Sequence, residues 1–334
     1  MRAPEFWTRP GLVPALLAPL GALYGAAGAA RRRAAKPWHA PVPVVCVGNL
    51  VAGGAGKTPV VLSLARLLAA EGKAAVHVVT RGYGGRLAGP LAVDPARHDA
   101  GEVGDEPLLL AAAAPTWVAR DRVAGARQAV AAGAEILLLD DGFQNPALAK
   151  DLSLLVVDGG YGFGNGLVMP AGPLREPVGA GLARAQAVVL IGEDEAGAAR
   201  AIDDGQGRRP TLLRADLVPA RDAAADLSGR RVLAFAGIGR PAKFFATLER
   251  LGAEIAESRA FPDHHPYAAA EIEGLLAAAR SLGAVPVTTA KDAVRLPPAL
   301  RGAVHVLPVD LVWREPDAIA SLLDRFVLSP RGHD

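Results

Sequence analysis

The sequence predicts an α/β fold in which a mostly parallel sheet carries helices on both faces. Short apolar runs alternate with segments of helical periodicity from residue 44 to residue 192, and this alternation is typical of βαβ units. A shorter series of the same kind runs from residue 232 to residue 307. The chain has 334 residues, enough for two domains with separate cores. We therefore expect a larger α/β domain followed by a smaller one.

Each element is predicted from its own pattern of apolar residues. In the larger domain, strands are predicted at residues 44–47, 76–80, 116–119, 136–140, 154–158 and 187–192, and helices at 60–70, 106–113 and 121–132. In the smaller domain, strands are predicted at residues 232–237, 285–289 and 304–307, and helices at 241–251 and 268–282. The predicted divisions are 1–38 for an N-terminal helical segment, 39–226 for the larger domain and 227–334 for the smaller domain.

A glycine-rich turn follows the first predicted strand and leads into a helix that begins with Lys57 and Thr58. The turn consists of Gly53, Gly54, Ala55 and Gly56. Glycines let successive backbone N–H groups face an anion, and the helix N-terminus adds positive potential. Lys57 can then reach the outer phosphates of a nucleoside triphosphate, while the Thr58 hydroxyl holds Mg²⁺. Val51 stands where the usual pattern has its first glycine, and a tight turn without a ligand is the alternative. We predict a P-loop NTPase-like fold.

Acidic residues follow another apolar strand and precede a helix. Asp140 ends the predicted strand 136–140 and Asp141 follows it, where a carboxylate can face magnesium beside a phosphate loop. A helix N-cap or a solvated turn is the alternative. Asp105 and Glu106 stand just ahead of the next helical pattern. Taken alone, Asp105 is equally well explained as a helix N-cap.

Three further segments carry polar side chains in turns or loops. Arg81 follows the predicted strand 76–80, where it either meets phosphate or caps the sheet. Residues 162–177 form a long, proline- and glycine-rich loop that contains Arg175 and Glu176, and such loops often bind ligands. The turn at residues 261–267 holds two adjacent histidines, His264 and His265. Without a cysteine nearby they are weak candidates for a metal site, and solvated turn histidines are the alternative.

The N-terminal segment is apolar and ends in a basic cluster. Residues 11–30 contain no charged side chain, and residues 31–33 are three arginines. The run is long enough to span a bilayer, but Pro14 and Pro19 weaken it as a spanning helix. A signal peptide is disfavoured because the basic cluster follows the apolar run. We predict a helix that lies on a membrane surface, with a helix packed on the protein's own core as the alternative.

The composition argues against a nucleic-acid partner and excludes an internal disulfide. The formal net charge is +2, and no stripe of basic and aromatic residues occurs outside the N-terminal segment, so no nucleic-acid partner is predicted. The single cysteine, Cys46, excludes an internal disulfide and is predicted to be a buried, reduced thiol in a cytosolic compartment. No obligate protein partner is evident.

In combination, these motifs resemble the tetraacyldisaccharide 4'-kinases, the lipid A 4'-kinases of Gram-negative bacteria. The resemblance runs from about residue 44 to residue 311. It rests on seven ordered segments, at residues 48–59, 80–85, 104–107, 140–144, 162–177, 261–267 and 289–294. The chain departs from the family pattern at Asn145, where histidine is expected, and at Ala290, where glutamate commonly precedes Lys-Asp.

The resemblance implies an activity and a location. It implies ATP and Mg²⁺ as cofactors and phosphorylation of the 4'-hydroxyl of a tetraacylated glucosamine disaccharide 1-phosphate, which gives the lipid A precursor lipid IVA. It also implies attachment to the cytoplasmic face of the inner membrane, peripheral or monotopic, through the N-terminal segment.

The resemblance further implies roles for individual residues. Asp105, assisted by His264, is expected to take the proton from the sugar hydroxyl, and Lys57 is expected to act on the phosphates. The remaining expected contacts fall into three sets: nucleotide contacts from Gly53, Gly54, Ala55, Gly56, Lys57 and Thr58; magnesium contacts from Thr58, Asp140, Asp141 and Glu106; and substrate contacts from Asn49, Arg81, Arg175 and Glu176.

Two other functions remain open from the residues themselves. A P-loop kinase of a soluble metabolite would not need the apolar N-terminal segment. A membrane-associated nucleotide switch would leave Asp105 and His264 without a function. The lipid kinase accounts for both features.

Overall fold

The computed structural model describes residues 4–70, 74–203 and 209–329, so the ends of the predicted segments 1–38 and 227–334 lie outside the described residues. The strands are β1 (Val44–Gly48), β2 (Val76–Thr80), β3 (Leu91–Ala92), β4 (Thr116–Val118), β5 (Ile136–Asp140), β6 (Leu152–Asp158), β7 (Ala187–Ile191), β8 (Thr211–Pro219), β9 (Arg231–Ala236), β10 (Glu254–Ala260), β11 (Val285–Thr289), β12 (His305–Leu307) and β13 (Val309–Trp313).

The helices connect and cover these strands. They are α1 (Leu12–Ala34), α2 (Lys57–Ala70), α3 (Ala100–Val103), α4 (Asp105–Ala111), α5 (Arg122–Ala131), α6 (Val178–Leu182), α7 (Ala198–Asp203), α8 (Arg221–Ala225), α9 (Pro241–Arg250), α10 (Ala269–Ser281), α11 (Ala290–Ala293), α12 (Pro298–Arg301) and α13 (Pro316–Leu323). A 3₁₀ turn at Glu5–Trp7 and a π turn at Asp324–Leu328 lie near the two ends.

The larger sheet has the strand order β13-β8-β7-β6-β1-β5-β2-β4-β3. Its strands are parallel except for the two edge strands, β3 and β13, which pair antiparallel with β4 and β8. Every residue of β1, β2 and β5 is buried, as expected for parallel strands covered on both faces. Cys46 lies within β1 as a buried thiol, and burial raises its pKa to about 11. The predicted α/β fold with a parallel sheet is confirmed.

The smaller sheet has four parallel strands in the order β10-β9-β11-β12. Side chains of β9 alternate between its two faces. Val232 and Ala234 pack in one apolar cluster with Phe244 of α9, whereas Leu233 and Phe235 belong to a second cluster that includes residues of α10. The smaller domain thus has helices on both faces of its own sheet.

The C-terminal segment returns to the larger domain, which corrects the predicted range of 227–334 for the smaller one. β13 pairs with β8 at the edge of the larger sheet, and the Trp313 indole donates to the Ser63 hydroxyl of α2 at 2.9 Å. Leu323 and Val327 belong to the core of the larger domain. Residues 309–328 therefore pack on the larger domain, whose core includes Leu311, Ile319, Leu322, Leu323 and Val327.

The apolar helix α1 lies on the surface of the larger domain. Its small residues face the 162–177 loop: a Cβ on Gly21 would lie 2.5 Å from the Val168 carbonyl oxygen. The opposite face is open, with Leu12, Leu16 and Leu23 between 67% and 84% exposed. Within the described ranges, α1 is the one helix long and apolar enough to cross a membrane. One face of α1 is therefore packed on the protein and the other is free.

Replacing Gly48, at the end of β1, tests how tightly this region packs. A Cβ at Gly48 would lie 2.4 Å from Cβ of the buried Phe143, so Gly48→Ala should lower the free energy of unfolding by about 1–3 kcal/mol through overpacking. Gly274 of α10 has no atom within 4 Å of the same position, so Gly274→Ala should leave stability unchanged or raise it by up to about 1 kcal/mol. Denaturant unfolding of both variants measures the difference, and equal stabilities would contradict the prediction.

Candidate active site at the carboxyl edge of the larger sheet

The glycine-rich loop between β1 and α2 faces open space. Gly53 and Gly56 have positive φ angles of 129° and 85°, a region that favours glycine. A Cβ on Gly56 would also lie 2.7 Å from Cδ1 of Ile191, whereas no atom lies within 4 Å of the same position on Gly53 or Gly54. Ala55 is buried beneath the loop. The loop therefore has the open, glycine-lined surface that phosphate groups require.

The side chain of Asn49 holds this loop in place through hydrogen bonds. Its side chain has no exposed surface, and Nδ2 donates to the carbonyl oxygens of Val51 and Gly53 at 2.8 and 3.3 Å. Its Oδ1 accepts from Nζ of Lys57 at 3.2 Å. In the structure this buried amide holds the loop and its lysine, and the expected substrate contact from Asn49 stays a prediction.

The 162–177 loop braces the phosphate-binding loop through backbone hydrogen bonds. The Ala52 N–H donates to the Pro173 carbonyl, and the Arg175 N–H donates to the Leu50 carbonyl, both at 2.7 Å. Leu174, between these contacts, is completely buried. This contact was not predicted from the sequence, because 120 residues separate the two loops and neither carries a local pattern for the pairing.

Asp140 ends β5 beside the strand that leads into the phosphate-binding loop. Its Oδ2 accepts from the Thr80 hydroxyl at 3.0 Å, while Oδ1 is buried and has no hydrogen-bond partner among the described residues. Burial raises the pKa of Asp140 to about 6, although the nearby Lys57 opposes the shift. A buried carboxylate oxygen without a partner is suited to a cation.

Asp141 has a left-handed backbone conformation, with φ of 52°, and its side chain contacts two cationic side chains. Its Oδ1 contacts Nη1 of Arg175 at 2.7 Å and Nζ of Lys57 at 3.8 Å. Burial alone would raise the pKa of Asp141, but Lys57 and Arg175 lower it below its ordinary value. Asp141 therefore stays ionised and links the lysine of the phosphate-binding loop to the bracing loop.

The other predicted substrate residues have different surroundings. Glu176 has no exposed surface, and its carboxylate contacts Arg184 through both oxygens at 2.6 Å and Arg32 of α1 at 3.2 Å. The charge of Glu176 is thus paired within the protein, and the expected substrate contact from this residue stays a prediction. Arg175 is half-buried against Asp141, and Arg81 is exposed at the end of β2.

Asp105 and His264 meet across the two domains. His264 Nδ1 lies 2.8 Å from Oδ2 of Asp105, which begins α4 and is buried. The turn that carries His264 has φ of 59° at this residue, and the His264 N–H donates to the Gly237 carbonyl at 3.1 Å. The hydrogen bond to Asp105 raises the pKa of His264 above its ordinary value. The structure thus brings together two residues that are 159 positions apart.

Glu106 forms a second contact across the domains. Its Oε1 contacts Nζ of Lys291 at 2.7 Å, and its Oε2 is buried without a partner in the described part of the chain. Burial alone would lower the pKa of Lys291, but Glu106 holds it above its ordinary value. Lys291 of the smaller domain therefore pairs with a carboxylate of the larger domain.

The carboxylates fit a magnesium ion that is also held by phosphates. Asp140 and Glu106 each have a buried oxygen without a partner, and their charges are close enough that Glu106 raises the pKa of Asp140. The described residues contain no group of three or more His, Cys, Asp or Glu side chains able to enclose a metal. Mg²⁺ typically uses one or two carboxylates and completes its shell with phosphate and water.

Sequence reasoning missed Arg295. This arginine is 5% exposed and lies 3.2 Å from Oδ2 of Asp105 and 3.0 Å from Oδ1 of Asp292. The helical spacing of Lys291, Asp292 and Arg295 was available in the sequence, since residues three and four apart share a helix face. That spacing alone does not identify a partner in another domain.

The pH dependence of stability tests the contact between Asp105 and His264. A histidine with a raised pKa contributes its full stabilisation below the unfolded value, and loses it as the pH rises through the folded value. The melting temperature difference between the wild type and His264→Gln should therefore be largest below pH 6.5 and shrink at higher pH. In an Asp105→Asn background this pH dependence should disappear. A difference that stays constant from pH 5.5 to 9 would contradict the assignment.

Comparison with known proteins gives one consistent result. Residues 13–327 match the LpxK family, described as tetraacyldisaccharide-1-P 4'-kinase. The tetraacyldisaccharide 4'-kinase of Rhodospirillum centenum is 63% identical, over 97% of this chain and 96% of that protein. The one from Rhodospirillum rubrum is 55% identical, over 98% of both chains.

Among solved structures, the "apo" form of LpxK from Aquifex aeolicus in complex with ATP has a similar fold. The TM-score is 0.75 at 27% sequence identity, and the match covers 94% of this chain and 99% of that one. The family resemblance stated from the motifs is confirmed. The chain therefore belongs to the tetraacyldisaccharide 4'-kinase family.

Proposed function

We propose that this protein transfers the γ-phosphate of ATP to the 4'-hydroxyl of a tetraacylated glucosamine disaccharide 1-phosphate, which yields lipid IVA. The observation that carries the proposal is the 2.8 Å contact between Asp105 and His264, because it adds an acid–base pair to the carboxyl edge that holds the phosphate-binding loop. Membership of the kinase family supports the same reaction. A phosphate site alone would suit a switch protein equally well.

The phosphate-binding loop binds and orients the nucleotide. The backbone amides of Gly53, Gly54, Ala55 and Gly56 face the β-phosphate, and Lys57 reaches the outer phosphates. In the structure Lys57 is held between Asn49 and Asp141, so its ammonium group is already positioned. Phosphoryl transfer depends mainly on such positioning and on charge neutralisation.

Mg²⁺ fits the acidic side of the same site. Thr58, Asp140, Asp141 and Glu106 are the residues proposed to hold it. The ion supplies charge neutralisation on the phosphate oxygens. Asp140 and Glu106 contribute the carboxylate oxygens that are buried without protein partners, which supports their assignment.

Asp105 is proposed to accept the proton of the 4'-hydroxyl, with His264 as its helper. The carboxylate is buried at the start of α4, and His264 fixes it from the smaller domain. Arg81 and Arg175 lie at the same edge, where they can contact the anionic groups of the substrate. Proton acceptance by a positioned side chain typically contributes a factor of about 10² to 10⁴ to the rate.

Docking of the smaller domain completes the site. Its residues His264 and Lys291 contact Asp105 and Glu106 of the larger domain, and Arg240 forms an ion pair with Asp158. Closure of the domains over a bound acceptor completes the site and keeps water away from ATP.

The free face of α1 is proposed to bind the cytoplasmic face of the inner membrane, where the acylated substrate resides. Leu12, Leu16 and Leu23 are exposed. Arg31 and Arg33 are exposed near the end of the helix, where anionic headgroups attract them, whereas Arg32 pairs with Glu176. A kinase of a soluble metabolite would leave this face unexplained. We propose no nucleic-acid partner and no obligate protein partner.

Replacing Lys57 tests the proposed activity. Lys57→Ala should lower the turnover number by a factor of about 10² or more at saturating ATP, because it removes a cation that stabilises the transition state. The measurement is transfer of labelled phosphate from ATP to detergent-dispersed tetraacyldisaccharide 1-phosphate. Lys243→Ala, at an exposed site in the smaller domain, is the control and should retain wild-type turnover. Undiminished turnover in Lys57→Ala would mean that the loop is structural.

Charged substitutions on α1 test membrane binding. The double variant Leu16→Glu and Leu20→Glu should fold normally, because both leucines are more than half exposed, and should lose most of its sedimentation with anionic vesicles. Leu67→Glu, on the partly exposed face of α2, is the matched control. Full vesicle binding by the double variant would show that another surface docks.

A further inference from the structure

Arg295 is a buried cation at the contact between the two domains, and the proposed reaction does not yet use it. It lies just after α11 of the smaller domain, with 5% of its side chain exposed. Burying a guanidinium is costly unless its donors are paired. The contacts that pair it therefore indicate what the residue does.

Most of these contacts anchor Arg295 within the smaller domain. Nη2 donates to the Gly237 carbonyl and to Oδ1 of Asp292, both at 3.0 Å. Nη1 and Nε donate to the His265 and Lys291 carbonyls, both at 3.1 Å. The guanidinium is thus fixed in orientation before it meets the larger domain.

Asp292 is satisfied without any residue of the larger domain. It has no exposed surface, and its carboxylate accepts from the Gly237 N–H at 2.8 Å, the Tyr267 hydroxyl at 2.7 Å and the Thr289 hydroxyl at 2.5 Å. Arg295 adds to this network. Pairing with Asp292 therefore does not explain why Arg295 also contacts a residue of the larger domain.

The remaining contact of Arg295 is with Asp105. Nε of Arg295 lies 3.2 Å from Oδ2 of Asp105, the same oxygen that His264 Nδ1 contacts at 2.8 Å. The single Nε–H of Arg295 donates to the Lys291 carbonyl, so its contact with Oδ2 is an ion pair, whereas His264 is hydrogen-bonded to the same oxygen. Both groups lie on the Oδ2 side of the carboxylate and leave Oδ1 for a further partner.

We propose that Arg295 is a positioning residue whose positive charge, together with the hydrogen bond between His264 and Asp105, holds Oδ2 of Asp105 and so presents Oδ1 to the acceptor hydroxyl. The proposal deepens the proposed kinase function and rests on it for its catalytic consequence. Because both groups belong to the smaller domain, the base acquires its working orientation only when that domain is docked.

The first arm of the test measures phosphorylation of tetraacyldisaccharide 1-phosphate. Arg295→Gln should lower kcat about 10-fold or more and change KM for ATP less than about 2-fold. In an Asp105→Ala background, Arg295→Gln should change kcat less than about 2-fold, because residues that act as one unit are not additive. Arg301→Gln is the matched control, since Arg301 also donates to backbone carbonyls of the smaller domain.

Arg295→Lys provides a second variant in case Arg295→Gln does not fold. It retains a positive charge beside Asp292 but lacks the planar fork that reaches several acceptors, so kcat, measured well below the melting temperature of the variant, should fall. Equal rate losses in the wild-type and Asp105→Ala backgrounds would mean that Arg295 is merely structural. That outcome would overturn the proposal.

The second arm needs no lipid substrate. It follows the ring resonances of His264 by NMR across pH. The charged groups that face this ring are Asp105, Asp263 and Lys291, and Arg295 shares Oδ2 with it. Removing the guanidinium should raise the pKa of His264 by about half a unit or more.

The two arms separate failure of this inference from failure of the proposed function. An upward shift in Arg295→Gln, with none in Arg301→Gln, supports the shared oxygen whether or not the protein phosphorylates the lipid. An unchanged or lower pKa of His264 overturns it. The turnover of the wild-type protein reports separately on the proposed function.

Discussion

The backbone pairing between the phosphate-binding loop and the 162–177 loop is the contact on which the rest of the site depends. Ala52 and Leu50 exchange hydrogen bonds with residues 173 and 175, so the glycine-rich segment is supported from one side while its other side stays open. The same bracing loop aims Arg175 at Asp141 and places Glu176 where Arg32 of α1 reaches it. A helix with a free apolar face is thereby joined to a phosphate site through buried contacts. This connection suits an enzyme whose acceptor lies in a membrane.

The charges of the site are separated into groups that differ in burial and in partners. Asp141 lies between Lys57 and Arg175, which lower its pKa, whereas Asp140 has a pKa raised to about 6 by burial and an oxygen without a partner among the described residues. A divalent cation beside Asp140 would favour its ionised form, because an opposite charge stabilises a carboxylate. One acid thus pairs with the protein's own lysine, whereas its neighbour does not.

The sequence predicted the central strands well, because β1, β5 and β7 are continuous apolar runs whose residues are all buried. It missed β10, an edge strand that is largely exposed and rich in charged residues, since such a strand has no apolar run. The family resemblance implied substrate contacts for Asn49 and Glu176, but the sequence did not show that both side chains are buried. Residue type shows that a side chain can bind a polar group, but not whether that group belongs to the protein. Burial decides this, and it depends on contacts across more than 90 residues.

Two consecutive acidic residues at the start of α4 contact the smaller domain. Asp105 and Glu106 are adjacent, yet each receives its own partner from the smaller domain: His264 for the first and Lys291 for the second. Separation of the domains would remove both partners at once, because His264 and Lys291 belong to the same smaller domain. The two contacts therefore favour the docked arrangement together. Docking consequently couples two consecutive residues of the larger domain to one partner domain.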